Sequence, residues 1–370
     1  NSKVYFNGEF LSSGSLSLNE NDVDTPFHIG MVNGRKPSNA IGALDDLRIY
    51  NRTLTGAEVT ALYELEKSSG GTGDPAAGGS GVLFVSNSGN DDSGKGARTA
   101  PYKTIAKGIE KARTGDVVAV LPGTYTGTGN KDLSFGGKSI TIRSTDGPEK
   151  TIIDCEGIGR GFHIKDGELD ARVEGFTITK ASLGGVRVDN DSIATFRYCN
   201  IVGNTSTESG PAAGGVKGGT YWYCKINDNI GDGSGPWNSG LGGGAKDATL
   251  HFCEISRNVK RHNDNETAGG VQGCELYYCL VNGNSSSGNI RVAGGIAYST
   301  VTNCILYDNS VSGSLLVAHG AIGSNFKNTV VWNPANSFSE MKSVDYGNGN
   351  SDPLFIDAEN GDFRYETNSS

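Results

Sequence analysis

The chain has 370 residues, enough for two domains, and a formal net charge of −9 with only 32 Lys and Arg residues. This acidic balance argues against nucleic acid as a partner, and no apolar run approaches the ~20 residues of a membrane-spanning helix. Gly accounts for 56 residues, about twice its usual share of roughly 7%, which is typical of a fold with many tight corners. The first residue is Asn and lies in a strand-like segment, so we expect a fragment or a processed form.

Residues 1–67 carry a signature of their own. Val4–Gly8 reads as a strand entering a turn, and Ile41–Tyr63 reads as a strand followed by a short helix with a capping box at Thr55 and Glu58. This sequence resembles the closing segment of a laminin-G-like (concanavalin A-like) jelly roll, an antiparallel β-sandwich of which about the last third is present. The resemblance implies either that the upstream part is missing or that a neighbouring subunit completes the sandwich.

Many laminin-G-like domains bind glycans, often with Ca²⁺. The resemblance therefore makes Asp45 and Asp46 weak candidates for Ca²⁺ ligands. The alternative is that both are solvent-facing or hydrogen-bonded residues of a strand. No other cofactor is expected.

Residues 68–81 are rich in Gly and Ser and read as a flexible linker, after which residues 82–370 form the second domain. Its first part, 82–125, contains a strand, an amphipathic helix with Ile105, Ile109 and Ala112 on the apolar face, and a further strand. This order resembles the N-terminal cap of secreted bacterial β-helix proteins, in which a helix covers the open end of the first coil. We assign about 139–333 to regular coils and 334–370 to a C-terminal segment.

The regular part is a repeat that is marked by cysteine. A six-residue motif from Cys to Asn occurs at Cys199–Asn204, Cys224–Asn229, Cys253–Asn258, Cys279–Asn284 and Cys304–Asn309, and a degenerate copy at Thr329–Asn333. The steps between the cysteines are 25, 29, 26 and 25 residues. A pair of glycines keeps the same period, at 184–185, 214–215, 243–244, 269–270 and 294–295. A fixed period of this size is typical of stacked supersecondary units.

Residues around each cysteine alternate, so that Cys199 and Ile201 share one face of the chain while Tyr198 and Asn200 share the other. Alternation indicates half-buried strands, and 25 residues at roughly 3.3 Å each make about three short strands with their corners. The pattern predicts an all-β fold, a right-handed parallel β-helix with three-strand coils. It resembles the pectin-lyase-like superfamily, in particular its secreted bacterial members, which implies an extracellular or cell-surface location.

Two columns of the repeat are expected to be structural. Stacked copies lie about 4.8 Å apart, which exceeds the ~3.8 Å between the Cβ atoms of a disulfide, so the inward cysteines predict a buried column of free thiols. The Asn that ends each motif predicts a hydrogen-bonded ladder at a corner. Cys155 and Cys274 have no evident partners, and no metal-ligand spacing accompanies the cysteines. The column residues are Cys199, Cys224, Cys253, Cys279 and Cys304, with Asn204, Asn229, Asn258, Asn284 and Asn309.

The residues beside the cysteines are aromatic in four copies, Tyr198, Tyr223, Phe252 and Tyr278. We expect a ladder of rings on a flat sheet, which suits a glycan or a protein partner. The alternative is that a loop or the C-terminal segment covers the rings. The outward positions of Leu280 and Ile305 favour such a cover near the C-terminal coils.

A second outward column follows the glycine pairs and reads Arg187, Lys217, Lys246 and Gln272. Its cations suit uronates or sulfated sugars, and the alternative is an ordinary solvated face.

The loops after each Asn are where the coils differ, and such insertions often line the binding face of a solenoid. Trp237 is the candidate for glycan or partner binding in these loops. Asp264 and Glu266, next to His262, are weak candidates for holding a cation such as Ca²⁺. The alternative is that these adjacent residues are simply solvated.

Three functions stay open on the sequence. The first is a rigid, non-catalytic rod at the cell surface that binds a polysaccharide, a cell-surface glycan or another protein. The second is a polysaccharide lyase for uronate-containing glycans, in which Lys217, Lys246 or Arg187 would serve as base and Ca²⁺ would assist, although no complete catalytic signature is present. The third is a subunit that self-associates into a filament and completes the partial sandwich of its neighbour.

Overall fold

The computed structural model describes residues 2–6, 9–14, 81–165, 167–168, 170–208, 212–233, 242–261, 267–287, 292–312, 317–318, 321–327, 329–332, 338–339, 343–345, 355–357 and 362–365. The chain divides into two compact units, Asn1–Gly73 and Asp74–Ser370. In the first unit, the strand Ser2–Phe6 pairs antiparallel with Glu9–Gly14. The rest of this unit, including Asp45, Asp46 and the predicted helix 55–65, lies outside the described residues.

The second unit is a stack of coils that contribute strands to parallel sheets, which we number in the order in which each coil visits them. Sheet 1 has 11 strands: Val82–Val85, Val117–Val120, Thr141–Ser144, Ala171–Glu174, Ala194–Arg197, Thr220–Trp222, Thr249–His251, Glu275–Tyr277, Thr300–Thr302, Asn325–Lys327 and Ser343–Asp345. Sheet 2 has nine: Gly123–Tyr125, Thr151–Asp154, Thr177–Thr179, Asn200–Val202, Lys225–Asn227, Glu254–Ser256, Leu280–Asn282, Ile305–Tyr307 and Val330–Trp332.

Sheet 3 is short, with five strands: Thr205–Ser206, Ile230–Gly231, Val259–Lys260, Ser285–Ser287 and Ser310–Ser312. Sheet 4 has eight: Phe162–Ile164, Val186–Val188, Val216–Lys217, Ala245–Lys246, Val271–Gln272, Ile296–Ala297, Ala321–Ile322 and Phe338–Ser339. Val292–Ala293 pairs with Val317–Ala318, and Phe355–Asp357 pairs antiparallel with Asp362–Tyr365. The predicted parallel β-helix is therefore confirmed, with three long sheets and a fourth, shorter one.

The interior is a set of columns in which each coil places an apolar side chain on the one below. In sheet 2 the inward position is Tyr125 in the first strand and an aliphatic residue in the next seven, all of them fully buried: Ile153, Ile178, Ile201, Ile226, Ile255, Val281 and Leu306. Sheet 1 places Phe196 and Tyr221 in its own column, with their rings stacked at a centroid distance of 5.0 Å. Burial of a side chain of this size stabilises the fold by about 1.5–3 kcal/mol, so the columns form one continuous core.

The coils turn at corners where a single residue has positive φ. The corner between sheets 1 and 2 uses Tyr198, Tyr223, Phe252, Tyr278 and Asn303, with φ between 52° and 56°. The corner after sheet 2 uses Gly203, Asp228, Arg257, Gly283 and Asp308, each directly before an Asn of the ladder. The residue that follows a corner turns inward, which explains why Cys or Asn stands there.

The paired glycines before sheet 4 allow the backbones of successive coils to pack closely against each other. A Cβ on Gly243 would lie 2.1 Å from the carbonyl oxygen of Gly269, and one on Gly214 would lie 2.6 Å from that of Gly243. No L side chain fits at such distances, so the glycines allow successive coils to stack at these positions.

The N-terminal end is covered by the helix Ile105–Lys111, as the sequence predicted. Thr104 caps it by accepting a hydrogen bond from the backbone of Lys107 at 3.2 Å. Ile105 and Ile109 are buried against the first strands of sheet 1. A 3-10 turn, Thr128–Asn130, follows sheet 2 and binds the helix through Asn130, which accepts from the backbone of Ile105 at 2.9 Å.

Candidate functional site

The aromatic residues predicted as a ladder stack on one another over four successive coils. Ring centroids are 5.3 Å apart for Tyr198 and Tyr223, 5.1 Å for Tyr223 and Phe252, and 5.0 Å for Phe252 and Tyr278, with interplanar angles of 7°, 13° and 7°. The side chains are 55, 49, 42 and 55% exposed in chain order. We call these four residues the corner ladder, because they lie at the corner between sheets 1 and 2. The expectation of a flat sheet is corrected by their positive φ values.

These rings occupy a backbone conformation that aromatic residues rarely adopt. A residue other than Gly in the left-handed region costs about 1–2 kcal/mol. The same column holds Gly175 one coil below Tyr198 and Asn303 one coil above Tyr278, and both residue types tolerate this conformation more easily. The corner therefore does not require a ring for folding, and strained residues of this kind point to a role at the surface.

A second stack of rings lies directly beside the first and was not anticipated from the sequence. Trp222 and His251 are 3.9 Å apart between ring centroids with an angle of 8°, and His251 and Tyr277 are 4.9 Å apart with an angle of 11°. They form the sheet ladder, on the outer face of sheet 1. The two ladders touch, since the Trp222 centroid lies 6.4 Å from that of Tyr223 and 6.2 Å from that of Phe252. We call the seven rings together the aromatic surface.

The sheet ladder was missed for a definable reason. Strict alternation from the inward Cys224 assigns Tyr223 outward and Trp222 inward. Because Tyr223 has positive φ, the alternation breaks there, and Trp222 and Tyr223 both face outward while Tyr221 is fully buried. The consecutive pairs Trp222–Tyr223, His251–Phe252 and Tyr277–Tyr278 were the available signal.

Sheet 4 brings the predicted cationic residues into one column. Arg187 pairs in register with Lys217, Lys217 with Lys246, and Lys246 with Gln272. Lys246 is only 8% exposed and Gln272 only 6%. The alternative of an ordinary solvated face is therefore wrong at these two positions, where neighbouring groups cover the side chains.

Carboxylates neutralise most of this cationic column. Asp189 accepts from Arg187 Nε at 2.8 Å and lies 3.1 Å from His163 Nε2. Burial raises the pKa of the Asp189 carboxyl, but these two partners outweigh it and leave the pKa below its ordinary value. Glu208 pairs with Arg187 at 3.6 Å and with Arg160, and Lys246 pairs with Asp247 at 3.5 Å.

Lys217 differs from its neighbours, because it has no ion-pair partner within the residues that the structure describes. Partial burial, followed by repulsion from Arg187 and Lys246, lowers the pKa of the Lys217 ammonium group, and Asp247 only partly opposes the shift. A lysine with a lowered pKa is a better proton acceptor near neutral pH than an ordinary surface lysine.

The two structural columns are built as stacked rows. Each Asn side chain donates from Nδ2 to Oδ1 of the next Asn, at distances of 3.1, 3.0, 2.9 and 3.0 Å along Asn204, Asn229, Asn258, Asn284 and Asn309. All seven cysteines are free and buried. In the column each thiol lies near the backbone carbonyl two residues earlier, for example 3.2 Å for Cys253 Sγ and His251 O. Burial raises the pKa of Cys155 and of Cys274 to about 12, so these thiols stay protonated at neutral pH.

Other candidate residues fall outside the described part of the chain. Trp237, Asp264 and Glu266 lie in loops that the structure does not describe, and Asp45 and Asp46 lie in the first unit, so their roles stay predictions. Where side chains are described, no group of three or more His, Cys, Asp and Glu residues is placed to hold a metal ion. The same part of the chain contains no helix that is long and apolar enough to cross a membrane.

Stacked parallel coils, an Asn ladder and a capping helix define a parallel β-helix. Family models match two parts of the chain. Residues 1–60 match the concanavalin A-like lectin/glucanases superfamily (Laminin_G_3), which confirms the resemblance seen in the sequence. Residues 87–233 match a family described as a protein of unknown function (DUF1565).

Among curated proteins, the chain is similar to the uncharacterized protein YwoF of Bacillus subtilis (strain 168), with 30% identity over 138 residues. The match includes 35% of this chain and spans 27% of the length of that protein.

Solved structures with a related fold are distant in sequence. Pectate lyase Pel9A is 16% identical, with 80% of this chain and 91% of that chain covered and a TM-score of 0.48. The alginate lyase from Paenibacillus sp. str. FPU-7 is 12% identical, with 70% and 89% covered and a TM-score of 0.33. A pectin methylesterase from carrot is 11% identical, with 70% and 85% covered and a TM-score of 0.34. With TM-scores below 0.5, these likenesses say nothing about activity.

Proposed function

We propose that this β-helix binds an extended polysaccharide along its aromatic surface. The observation that carries the proposal is the corner ladder, in which four exposed rings stand at positive φ on consecutive coils. Large exposed apolar patches on soluble proteins mark interaction sites. A carbohydrate fits this one because the ring edges contact its C–H groups while tyrosine hydroxyls offer hydrogen bonds.

The geometry favours a polymer over a small sugar. Rings in each ladder are stacked on their coil neighbours, so the faces of the inner rings are largely covered and the edges and hydroxyls point outward. Successive coils repeat this arrangement about every 4.8 Å. A chain of sugars lying along the helix axis therefore meets the same groups at each step and gains affinity from several weak contacts.

A location outside the cell or at its surface follows from this proposal, because extended polysaccharides are the material of cell walls and matrices. The β-helix then acts as a rigid rod that presents its aromatic surface to the polymer. Self-association through the first unit stays a separate proposal.

The test is affinity electrophoresis in gels that contain soluble polysaccharides, neutral and acidic. Tyr223→Asn together with Phe252→Asn removes two central rings but keeps a residue type that the chain itself uses in this column, at Asn303. We expect wild-type retardation by at least one polymer, a loss of about tenfold or more in affinity for the double variant, and an unchanged melting temperature.

Ile193→Ser is the matched control, because Ile193 is 59% exposed and lies at the opposite end of the strand Ala194–Arg197 from Tyr198. Its retardation should equal that of the wild type. Retained binding by the double variant, or no retardation by any polymer, would remove the proposal.

A second candidate function, β-elimination on a uronate polymer, is favoured by Lys217. A neutral Lys217 amine would accept the proton from the carbon next to the uronate carboxylate, and a carbon–carbon double bond would form as the carbon–oxygen bond to the departing sugar breaks. The departing oxygen would take up a proton from water and leave as a hydroxyl group. Arg187 or Lys246 would have to leave a present carboxylate partner to bind the substrate carboxylate.

The unsaturated product absorbs in the ultraviolet, which gives the measurement. If the lyase function holds, absorbance rises on polygalacturonate or alginate, and kcat rises with pH as Lys217 loses its proton at a pKa below its ordinary value. Lys217→Ala should abolish the signal, whereas Lys95→Ala, an exposed lysine near the N-terminal cap, should not. A flat trace at all pH values, or full activity of Lys217→Ala, excludes this candidate.

A further inference from the structure

The aromatic surface is not uniform in charge along its length. Arg197 lies one coil below Trp222 in the column of the sheet ladder, and its guanidinium carbon is 5.9 Å from the Trp222 ring centroid. Lys225 lies two residues after Tyr223, at the start of the strand Lys225–Asn227, and faces outward from sheet 2. The two cations therefore border the N-terminal half of the surface from opposite sides.

Both cations are exposed, and neither has an ion-pair partner in the part of the chain that the structure describes. Glu174 is the cross-strand neighbour of Arg197, and Glu254 is that of Lys225, yet neither carboxylate lies within 4.0 Å of its neighbouring cation. Glu254 is bound elsewhere, since it accepts from Asn227 at 3.0 Å and from the hydroxyl of Ser256 at 2.9 Å.

Beside the rings of the C-terminal half, the described residues of these columns include no comparable cation. Above Lys225 on sheet 2 the outward positions are Glu254, Leu280 and Ile305. Above Arg197 on sheet 1 they are the three rings of the sheet ladder, then Thr302 and, two coils beyond the last ring, Lys327. Among the described residues of these two columns, the unpaired cations that lie beside the rings are thus Arg197 and Lys225, although the whole chain has a net charge of −9.

We propose that Arg197 and Lys225 form a subsite for an anionic group of the bound polysaccharide, a carboxylate or a sulfate ester, beside Tyr198 and Tyr223. This inference rests on the function proposed above. It adds the chemical class of the polysaccharide and says at which end of the aromatic surface its anionic units bind. Stacking against Trp222 restricts the guanidinium of Arg197 while leaving N–H groups to donate to an oxyanion. Lys225 supplies a second, more mobile charge across the corner ladder.

The subsite selects a polymer that carries anionic units on its sugars, and it places these units toward the N-terminal coils. The rings of the C-terminal half, Phe252, Tyr277 and Tyr278, contact uncharged parts of the same chain. Exposed charge pairs weaken with salt, so binding of an anionic polymer should fall as ionic strength rises, while ring contacts persist.

The experiment compares four probes in affinity gels: polygalacturonate, its carboxyl-reduced neutral counterpart, dextran sulfate and dextran. Arg197→Gln with Lys225→Gln should lower the affinity for an anionic probe by about tenfold or more and leave any binding of its neutral counterpart unchanged. Loss on polygalacturonate assigns a carboxylate, and loss on dextran sulfate assigns a sulfate. Lys95→Gln removes an exposed charge far along the chain from both ladders and should change nothing.

The ring variant Tyr223→Asn with Phe252→Asn, run in the same gels, separates the two proposals. If it loses binding while the Arg197 and Lys225 variant keeps full affinity for both anionic probes, the anionic subsite is wrong and the aromatic surface stands. If the ring variant keeps its binding, the proposed function itself fails. Equal wild-type affinity for an anionic probe and its neutral counterpart also overturns the subsite.

Discussion

At the scale of single residues, backbone strain and ring stacking at Tyr223 have opposite effects of similar size on stability. Its left-handed backbone conformation costs about 1–2 kcal/mol, and stacking on Tyr198 and Phe252 returns about 0.5–1.5 kcal/mol for each pair. The ladder is therefore close to neutral for stability once it is formed. Four such residues in a row are better explained by what their exposed edges contact than by folding.

Asn258 shows the opposite case, a residue whose role is entirely internal. Its side chain makes four hydrogen bonds: it accepts from the backbone and from the side chain of Asn229, and it donates to Ile226 O and to Asn284 Oδ1. All of these groups are buried. Removal of the amide would take one hydrogen bond from each group, although Asn229 Nδ2 would keep its bond to Ile201 O and Asn284 Oδ1 its bond from the Asn258 backbone. A buried group left without a partner costs about 1–3 kcal/mol before relaxation.

We therefore predict that Asn258→Ala destabilises the β-helix by at least about 3 kcal/mol, measured as the shift of the urea unfolding midpoint. Asn282→Ala is the matched control. It lies nearby on the outer face of sheet 2, partly exposed, and its loss should change stability by less than about 0.5 kcal/mol. Equal effects of the two substitutions would mean that the ladder does not hold the coils together.

At the scale of elements, the period of the sequence predicted the buried columns. It did not predict which side chains face outward next to a corner. The inward cysteines and the Asn ladder follow from a strict repeat, and each repeat position has one environment in every coil. Trp222 could not be placed in the same way, because the positive φ of Tyr223 interrupts alternation inside a run of aromatic residues. The ion pairs of Arg160 and Arg187 could not be predicted from the repeat either, because their partner Glu208 lies in a loop outside the repeat motif.

The capping helix gives a prediction in which two effects compete. Gly108→Ala should help an isolated helix by about 1 kcal/mol. In this fold the new Cβ would lie 2.7 Å from Val118 Cγ1 and 2.8 Å from Val85 Cγ2. We expect the clash to dominate, because overpacking costs about 1–3 kcal/mol, and the melting temperature to fall.

Lys111→Ala, at an exposed position of the same helix, is the control and should change the melting temperature little. A rise in the melting temperature of Gly108→Ala would contradict the contact between the helix and sheet 1.

At the scale of the whole β-helix, the coils space equivalent side chains at regular intervals. Each coil contacts mainly the coils next to it, so the fold is extended by repetition and its outer columns are straight rows of equivalent positions. Such a row suits a polymer, because the protein and its ligand are both periodic. The aromatic surface and the cationic column of sheet 4 are two such rows with different chemistry, and we assign polysaccharide binding to the first.

Hydroxyl-radical footprinting of the wild-type protein, with and without the polysaccharide that retards it most in the gels, tests this assignment most directly. We expect saturation with the polymer to lower the oxidation rates of Tyr198, Tyr223, Tyr278 and Trp222 several-fold. Ile158, which is 61% exposed and outside the surface, should keep its rate. Unchanged rates at the rings, with protection of the residues around Lys217 instead, would contradict binding at the aromatic surface and place the binding site on sheet 4.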